Sequence, residues 1–152
     1  MFPFKVRFSR TLKEQIHLEQ VPHLLDISRD ILSEAGADYF SKENNRLKFD
    51  NRLFKLTWNW ELMVPIDAGF VEIELDNNSS AKIRYSITLT RIWVISTLVA
   101  IIVWISDNDI IGPLIAFGAL GVLNWVIAVL RHWGFLYTMT DEIIDNIKKD
   151  KK

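Results

Sequence analysis

Histidine is the side chain best suited to acid–base work and metal ligation near neutral pH, and this 152-residue chain has three, His17, His23 and His132. The first two lie six apart, on different faces of any helix, and no cysteine or acidic triad joins them, so no metal site is expected. The absence of cysteine removes disulfides, thiolate ligands and a Cys nucleophile together. The glycines stand singly and build no phosphate loop. No serine occupies a nucleophile elbow. Asp67, in the break from Pro65 to Gly69, is a carboxylate that a site could use, although turn formation accounts for it more simply. No catalytic residue, metal ligand or cofactor is expected on these grounds.

Polar and small residues in the second half of the chain are better placed to act on helices than on substrates. Gly118, Gly121, Asn124 and Ala128 follow one another by three, three and four, which predicts one shared helix face. In lipid, helices associate by close backbone approach and interhelical hydrogen bonds, and such residues serve both. Ser96, Thr97 and Ala100 could meet that face. Packing within a helical hairpin is the simpler reading; contact with a second subunit is the alternative. A polar pathway through the membrane ranks last, because a single Asn without an intramembrane acid, base or His makes a poor conduit.

The reason for invoking lipid is the distribution of charge. Net charge is −1, and residues 1–91 hold 13 of the 18 Lys+Arg and 13 of the 19 Asp+Glu. Between Ile92 and Leu130 there is no basic residue, and Asp107 and Asp109 are the only acids. Ile92–Ser106 and Ile110–Leu130 are uncharged runs, against the roughly 20 apolar residues needed to cross a bilayer. The second is long enough. The first must borrow toward Arg91, whose side chain can snorkel. The expectation is a two-helix transmembrane hairpin over residues 91–131, with spans of about 91–106 and 110–131. Trp93, Trp104 and Trp133, with Arg91 and Arg131, are expected to anchor the membrane interfaces. Basic residues flank the hairpin and are missing from its loop, which predicts an inner-membrane, multi-pass protein with both termini cytoplasmic.

Residues 1–90 are expected to form a cytoplasmic α+β domain. Phe4, Val6 and Phe8 alternate with Lys5, Arg7 and Ser9 as in a strand with one buried face. Residues 11–21 lean toward helix. Pro22 suits a helix start, Leu24, Ile27, Ile31 and Ala35 recur at helical spacing, and Gly36 is a stop. Asn44-Asn45 predicts a tight turn between strands at Tyr39–Phe40 and Leu47–Phe49. Alternation from Phe54 to Trp60, Val71 to Leu75 and Ala81 to Leu89 predicts further strands. Trp58 and Trp60 share one side and read as sheet-face packing before an aromatic binding surface. Glu72 and Glu74 should face Lys82 and Arg84 across a hairpin. The resulting fold is a one-sided antiparallel sheet with a covering helix, in the order β-α-β-β-β-β, whose last strand enters the membrane almost directly.

Residues 132–152 are expected to be a cytoplasmic tail with a short amphipathic helix over Thr138–Lys152, capped by Thr140. Ile143, Ile144 and Ile147 make an apolar strip and Lys148 and Lys149 a basic end. The strip could lie on the inner leaflet, or pack against the soluble domain or a partner.

Together these features predict a membrane-anchored, non-enzymatic interaction or assembly module. It would be an accessory subunit recruiting or regulating a partner, either another membrane protein or a second copy of itself. The alternative is a membrane-perturbing effector, or an immunity protein, whose hairpin oligomerises under control of the soluble domain. An enzyme acting on lipid ranks third. Near-zero net charge, without a basic stripe interleaved with aromatics, argues against nucleic acid as a partner.

Overall fold

The computed structural model describes residues 4–51, 62–76, 80–107 and 109–150. Strand β1 (Lys5–Gln15) begins with the predicted alternation and outlasts it. Its pairing with β5 (Ser80–Thr88) is regular from Lys5↔Thr88 to Thr11↔Lys82, then shifts before Gln15↔Ser80. That bulge breaks the period of two, which is why residues 11–15 do not look like a strand in the sequence. The expected helical lean over 11–21 reduces to one 3₁₀ turn at Leu18–Gln20.

Helix α1 (Val21–Glu34) takes Pro22 in its first turn, where no intrahelical N–H is needed. It buries Leu24, Leu25, Ile31 and Leu32 and stops before Gly36, whose φ of 96° is left-handed. Strands β2 (Asp38–Glu43) and β3 (Arg46–Asp50) form the hairpin around Asn44-Asn45, with Asn44 at φ 48°. The strand expected from Phe54 to Trp60, Trp58 and Trp60 included, lies outside the described residues. Strand β4 (Ala68–Leu75) completes the set, and the sheet order is β1-β5-β4-β3-β2, antiparallel throughout. Glu72 and Glu74 oppose Arg84 and Lys82 as predicted. Gly69 sits opposite Phe49 in the ladder, and a Cβ there would overlap the Phe49 ring and the Ser86 carbonyl oxygen.

One residue after β5, helix α2 begins (Thr90–Asp107). A second helical stretch starts at α3 (Ile111–Phe117), passes through a π-helical turn at Gly118–Leu123 and continues as α4 (Asn124–Asp150). It packs back on α2 through α3 and the π turn. By length and composition, one helix among the described residues qualifies to cross a membrane, Ile111–Lys149; the helix over Thr90–Ser106 is apolar but shorter, so of the two spans expected over 91–106 and 110–131 only the second is supported.

Two expectations change here. The tail is no separate helix: α4 runs unbroken from Asn124 to Asp150, and Thr140 lies inside it, its hydroxyl donating to the Leu136 carbonyl at 2.8 Å instead of capping. The sheet also has two covers instead of one. Alongside α1, the second half of α4 buries Leu136, Met139, Ile143 and Ile147, whose spacing of three and four makes a single stripe.

Candidate functional site

The place where helices meet sheet concentrates the polar contacts of the core. Asp67 lies in the short loop that Met63 and Ile66 bury into the domain. Its Oδ2 accepts the backbone N–H groups of Thr90 (2.6 Å) and Arg91 (3.1 Å), so it caps α2 from outside that helix. Its Oδ1 lies 3.3 Å from Arg91 Nε, and Arg91 Nη1 donates to the Val64 carbonyl. Asn51 braces the loop, donating to the carbonyls of Met63 (2.8 Å) and Ile66 (3.2 Å). A helix whose first N–H groups are tied this way cannot swing freely on its strand.

A second tie is buried deeper. His132 Nε2 donates to the Leu62 carbonyl at 3.0 Å, since a carbonyl can only accept; Nδ1 therefore accepts the Tyr85 hydroxyl at 3.0 Å. Tyr85 stacks between Phe8 and Phe49, and Phe135 packs against both Tyr85 and His132. Burial holds the His132 imidazole down at about 4, helped by the charge of Arg131 and opposed by the Leu62 hydrogen bond, and burial pushes the Tyr85 hydroxyl well above its ordinary range. Both rings are fully buried. A neutral, solvent-free pair joins elements and offers no substrate access.

The third tie is at the sheet edge. Arg10, an inward position of β1, donates to the Tyr137 carbonyl (3.0 Å) and to Thr140 Oγ1, pairs with Asp141 (2.7 Å) and lies over the Tyr137 ring. Further along, Lys148 approaches Glu14 at 3.8 Å. The order of these contacts shows α4 running alongside β1 in the same direction. Sequence reading missed all three ties. An arginine at an apolar strand position and a histidine four residues from Ala128 and Leu136 were their available signals.

The predicted association face divides. Gly121 faces α2, where a Cβ would meet Ser96 Cβ and Oγ at 3.3 Å and the Trp93 ring at 3.4 Å. Ala128 is buried. Gly118 has open space around it, and Asn124 is exposed and donates to the Leu120 carbonyl of its own helix at 2.9 Å. The π turn over Gly118–Leu123 takes more residues per turn than an α-helix, so the 3.6-residue period fails there and the four residues no longer share a side. Ser96 is buried and bonds the Ile92 carbonyl at 2.6 Å; Ala100 is half-buried.

Of the interface candidates, Trp104 and Trp133 are exposed, and Trp133 meets Tyr137 edge-on at 5.6 Å. Trp93 is half-buried against Phe117, and Arg131 is half-buried. In the tail Ile143 and Ile147 lie in the core, Ile144 packs at its margin, and Lys148 and Lys149 are exposed.

The other face of the sheet has neither helix on it. There a groove of about 370 Å³ is lined by Arg7, Ser9, Arg46, Phe70, Glu72 and Arg84. Arg46 pairs with Glu72 at 2.7 Å, and Arg84 with Glu74. Lys5 and Arg46 both lie over the Phe70 ring, at 5.2 and 4.5 Å. Such an arrangement can bind an anion. Among the described residues no three His, Cys, Asp or Glu side chains group to hold a metal ion. No family model matches the chain, and no curated protein or solved structure matches it significantly.

Proposed function

We propose that the chain is a membrane-anchored, non-enzymatic interaction module, an accessory or assembly subunit holding a partner at the inner face of the cytoplasmic membrane. In this reading α2 and the α3–α4 helix both cross the bilayer and both termini lie in the cytoplasm. The observation that carries it is the placement of exposed apolar side chains. Apart from Phe4, Leu18 and Tyr39, every exposed large apolar residue among those described lies between Val94 and Tyr137. A water-soluble protein does not leave so contiguous a surface bare.

Helix α2 has 18 residues and is therefore about 27 Å long. A hydrocarbon core of about 30 Å exceeds that by little, and local thinning with snorkelling at Arg91 accommodates the difference. The three ties at the junction support a transmitting or presenting role, because a domain fixed to its anchor at both helices holds a bound partner at a set height.

With no native cysteine, single-cysteine variants report topology cleanly. Asp109→Cys is expected to react with an impermeant maleimide from outside intact cells, and Glu19→Cys only after lysis. Protection of Asp109→Cys in intact cells would remove the second crossing. Crosslinking in native membranes tests the interaction role; a strictly monomeric chain that co-purifies with nothing overturns it.

A further inference from the structure

We infer that the sheet face turned away from α1 and α4, at its end nearest α2, binds the headgroup of an anionic phospholipid, held by Lys5 and Arg7 with Arg46 and Arg84 behind them. The inference rests on the anchoring proposed above and names what the domain meets at the bilayer surface.

Position is the first argument. Because α4 runs alongside β1, the strands stand along the axis of the helix that enters the membrane. Lys5 is opposite Thr88, two residues before α2 begins, so it stands level with the membrane entrance. Arg7, opposite Ser86, is one repeat higher, about 7 Å. A headgroup layer about 5–7 Å deep brings its phosphates within reach of both side chains.

Charge is the second. The face presents Lys5, Arg7, Arg46, Lys48, Lys82 and Arg84, on a chain whose net charge is −1. Three of the six are answered: Lys48 by Glu43 at 2.7 Å, Arg46 by Glu72, Arg84 by Glu74. Lys5 and Arg7 form no ion pair among the described residues, and Arg7 is exposed. Of the three cations on this face without an ion pair among the described residues, Lys5 and Arg7 stand at the leaflet end, where a lipid phosphate would lie, and Lys82 stands opposite Glu74 at the far end. An acidic protein segment would instead be matched by charge spread along the groove. Guanidinium forks suit phosphate oxygens, and the groove behind Arg7 gives a headgroup room to enter.

The full chain, purified in mild detergent, is incubated with equal amounts of phosphatidylglycerol and phosphatidylcholine, and retained lipid is measured by mass spectrometry. The wild type is expected to retain phosphatidylglycerol preferentially. Lys5→Ser and Arg7→Ser should each lower that preference about fivefold. Arg7→Lys, which keeps the charge, should retain most of it and shows that the strand tolerates substitution there. Lys82→Ser, on the same face at the far end, should leave it unchanged. An unchanged preference when Lys5→Ser and Arg7→Ser are combined, or an equal loss in Lys82→Ser, overturns the site. Release of the lipid by inorganic phosphate assigns the groove to a soluble anion and overturns the lipid. Alkaline extraction separates this proposal from its premise: a chain washed from membranes removes the anchor, whereas an anchored chain without lipid preference removes only the site.

Discussion

Within α4 the side chains before Arg131 and those after it follow different rules. Upstream, Val126, Ile127 and Leu130 are exposed, while Ala128 alone of its neighbours is buried. Downstream, Leu136, Met139, Ile143 and Ile147 are buried in one stripe, and Glu142, Asp145, Lys148 and Lys149 occupy the other side. Both parts are equally helical. The difference teaches that backbone and solvent are separable choices. The first part is suited to lipid on most sides, whereas the second half is amphipathic because one side meets a sheet and the other meets water.

Matched truncations test that contrast most strongly. Ile143→Ala removes a fully buried side chain between α4 and the sheet, and a loss of about 2–4 kcal/mol is expected in denaturant unfolding of the detergent-solubilised protein. Ile127→Ala, the same truncation about four turns earlier in the helix but at an exposed position, should stay within about 0.5 kcal/mol. Equal losses would mean that the upstream half is packed against protein, and the contrast would fail.

Acid should separate the halves as well. Burial lowers His132 from 6.5 to about 4 in the folded protein, so the unfolded chain binds a proton that the folded chain refuses across that interval. The His132 contribution is complete above pH 6.5, falls as pH drops from 6.5 to 4, and is fully lost below, a change of about 3 kcal/mol. Thermal unfolding measured at steps across this interval should show the fall. His132→Phe should flatten that dependence while costing stability at neutral pH, because the Tyr85 hydroxyl loses its acceptor. An unaltered pH dependence in the variant would place the acid sensitivity elsewhere.

A smaller effect is expected at the start of the other helix. Asp67→Ala removes the acceptor for Thr90 and Arg91 and the partner of the Arg91 guanidinium, costing about 1–2 kcal/mol. Hydrogen exchange should locate the change at the Thr90 and Arg91 amides, with the β1–β5 amides still protected. Uniform loss of protection would show Asp67 supporting the whole sheet instead of the joint.

The residues behind these predictions explain which features could be read from sequence. Val71, Ile73, Ile83 and Ile87 alternate without interruption, so β4 and β5 are legible, and Pro22 with Gly36 brackets α1. The uncharged run from Ile92 to Leu130 is legible for the same reason: composition alone carries it. The covering role of α4 is legible only as one of the readings of the Ile143, Ile144 and Ile147 strip, and its continuation to Leu136 and Met139 is hidden because Arg131 and His132 interrupt the apolar run just before it. A buried histidine looks polar until its partners, Tyr85 and the Leu62 carbonyl, are brought from 47 and 70 residues away. Asp67 likewise reads as a turn residue, since the N–H groups it caps lie 23 and 24 residues further on. Arg10 occupies an inward strand position because Asp141 and the Tyr137 carbonyl receive it, and neither is visible locally.

The least perturbing test concerns the two glycines that the spacing places on one face and the π turn separates. A Cβ at Gly118 meets nothing within 4 Å, so Gly118→Ala should raise stability by up to about 1 kcal/mol through helix propensity alone. At Gly121 the same Cβ presses on Ser96 and Trp93, which must yield by a few tenths of an ångström, and the two effects should nearly cancel. The pair is read by unfolding in mixed detergent micelles, with crosslinking of the same samples. If Gly118→Ala instead lowers the yield of crosslinked dimer, the open side of the π turn is where a second copy sits. Gly118 and Asn124 would then act between chains while Gly121 and Ser96 act within one, and the division of the face would be a division of labour.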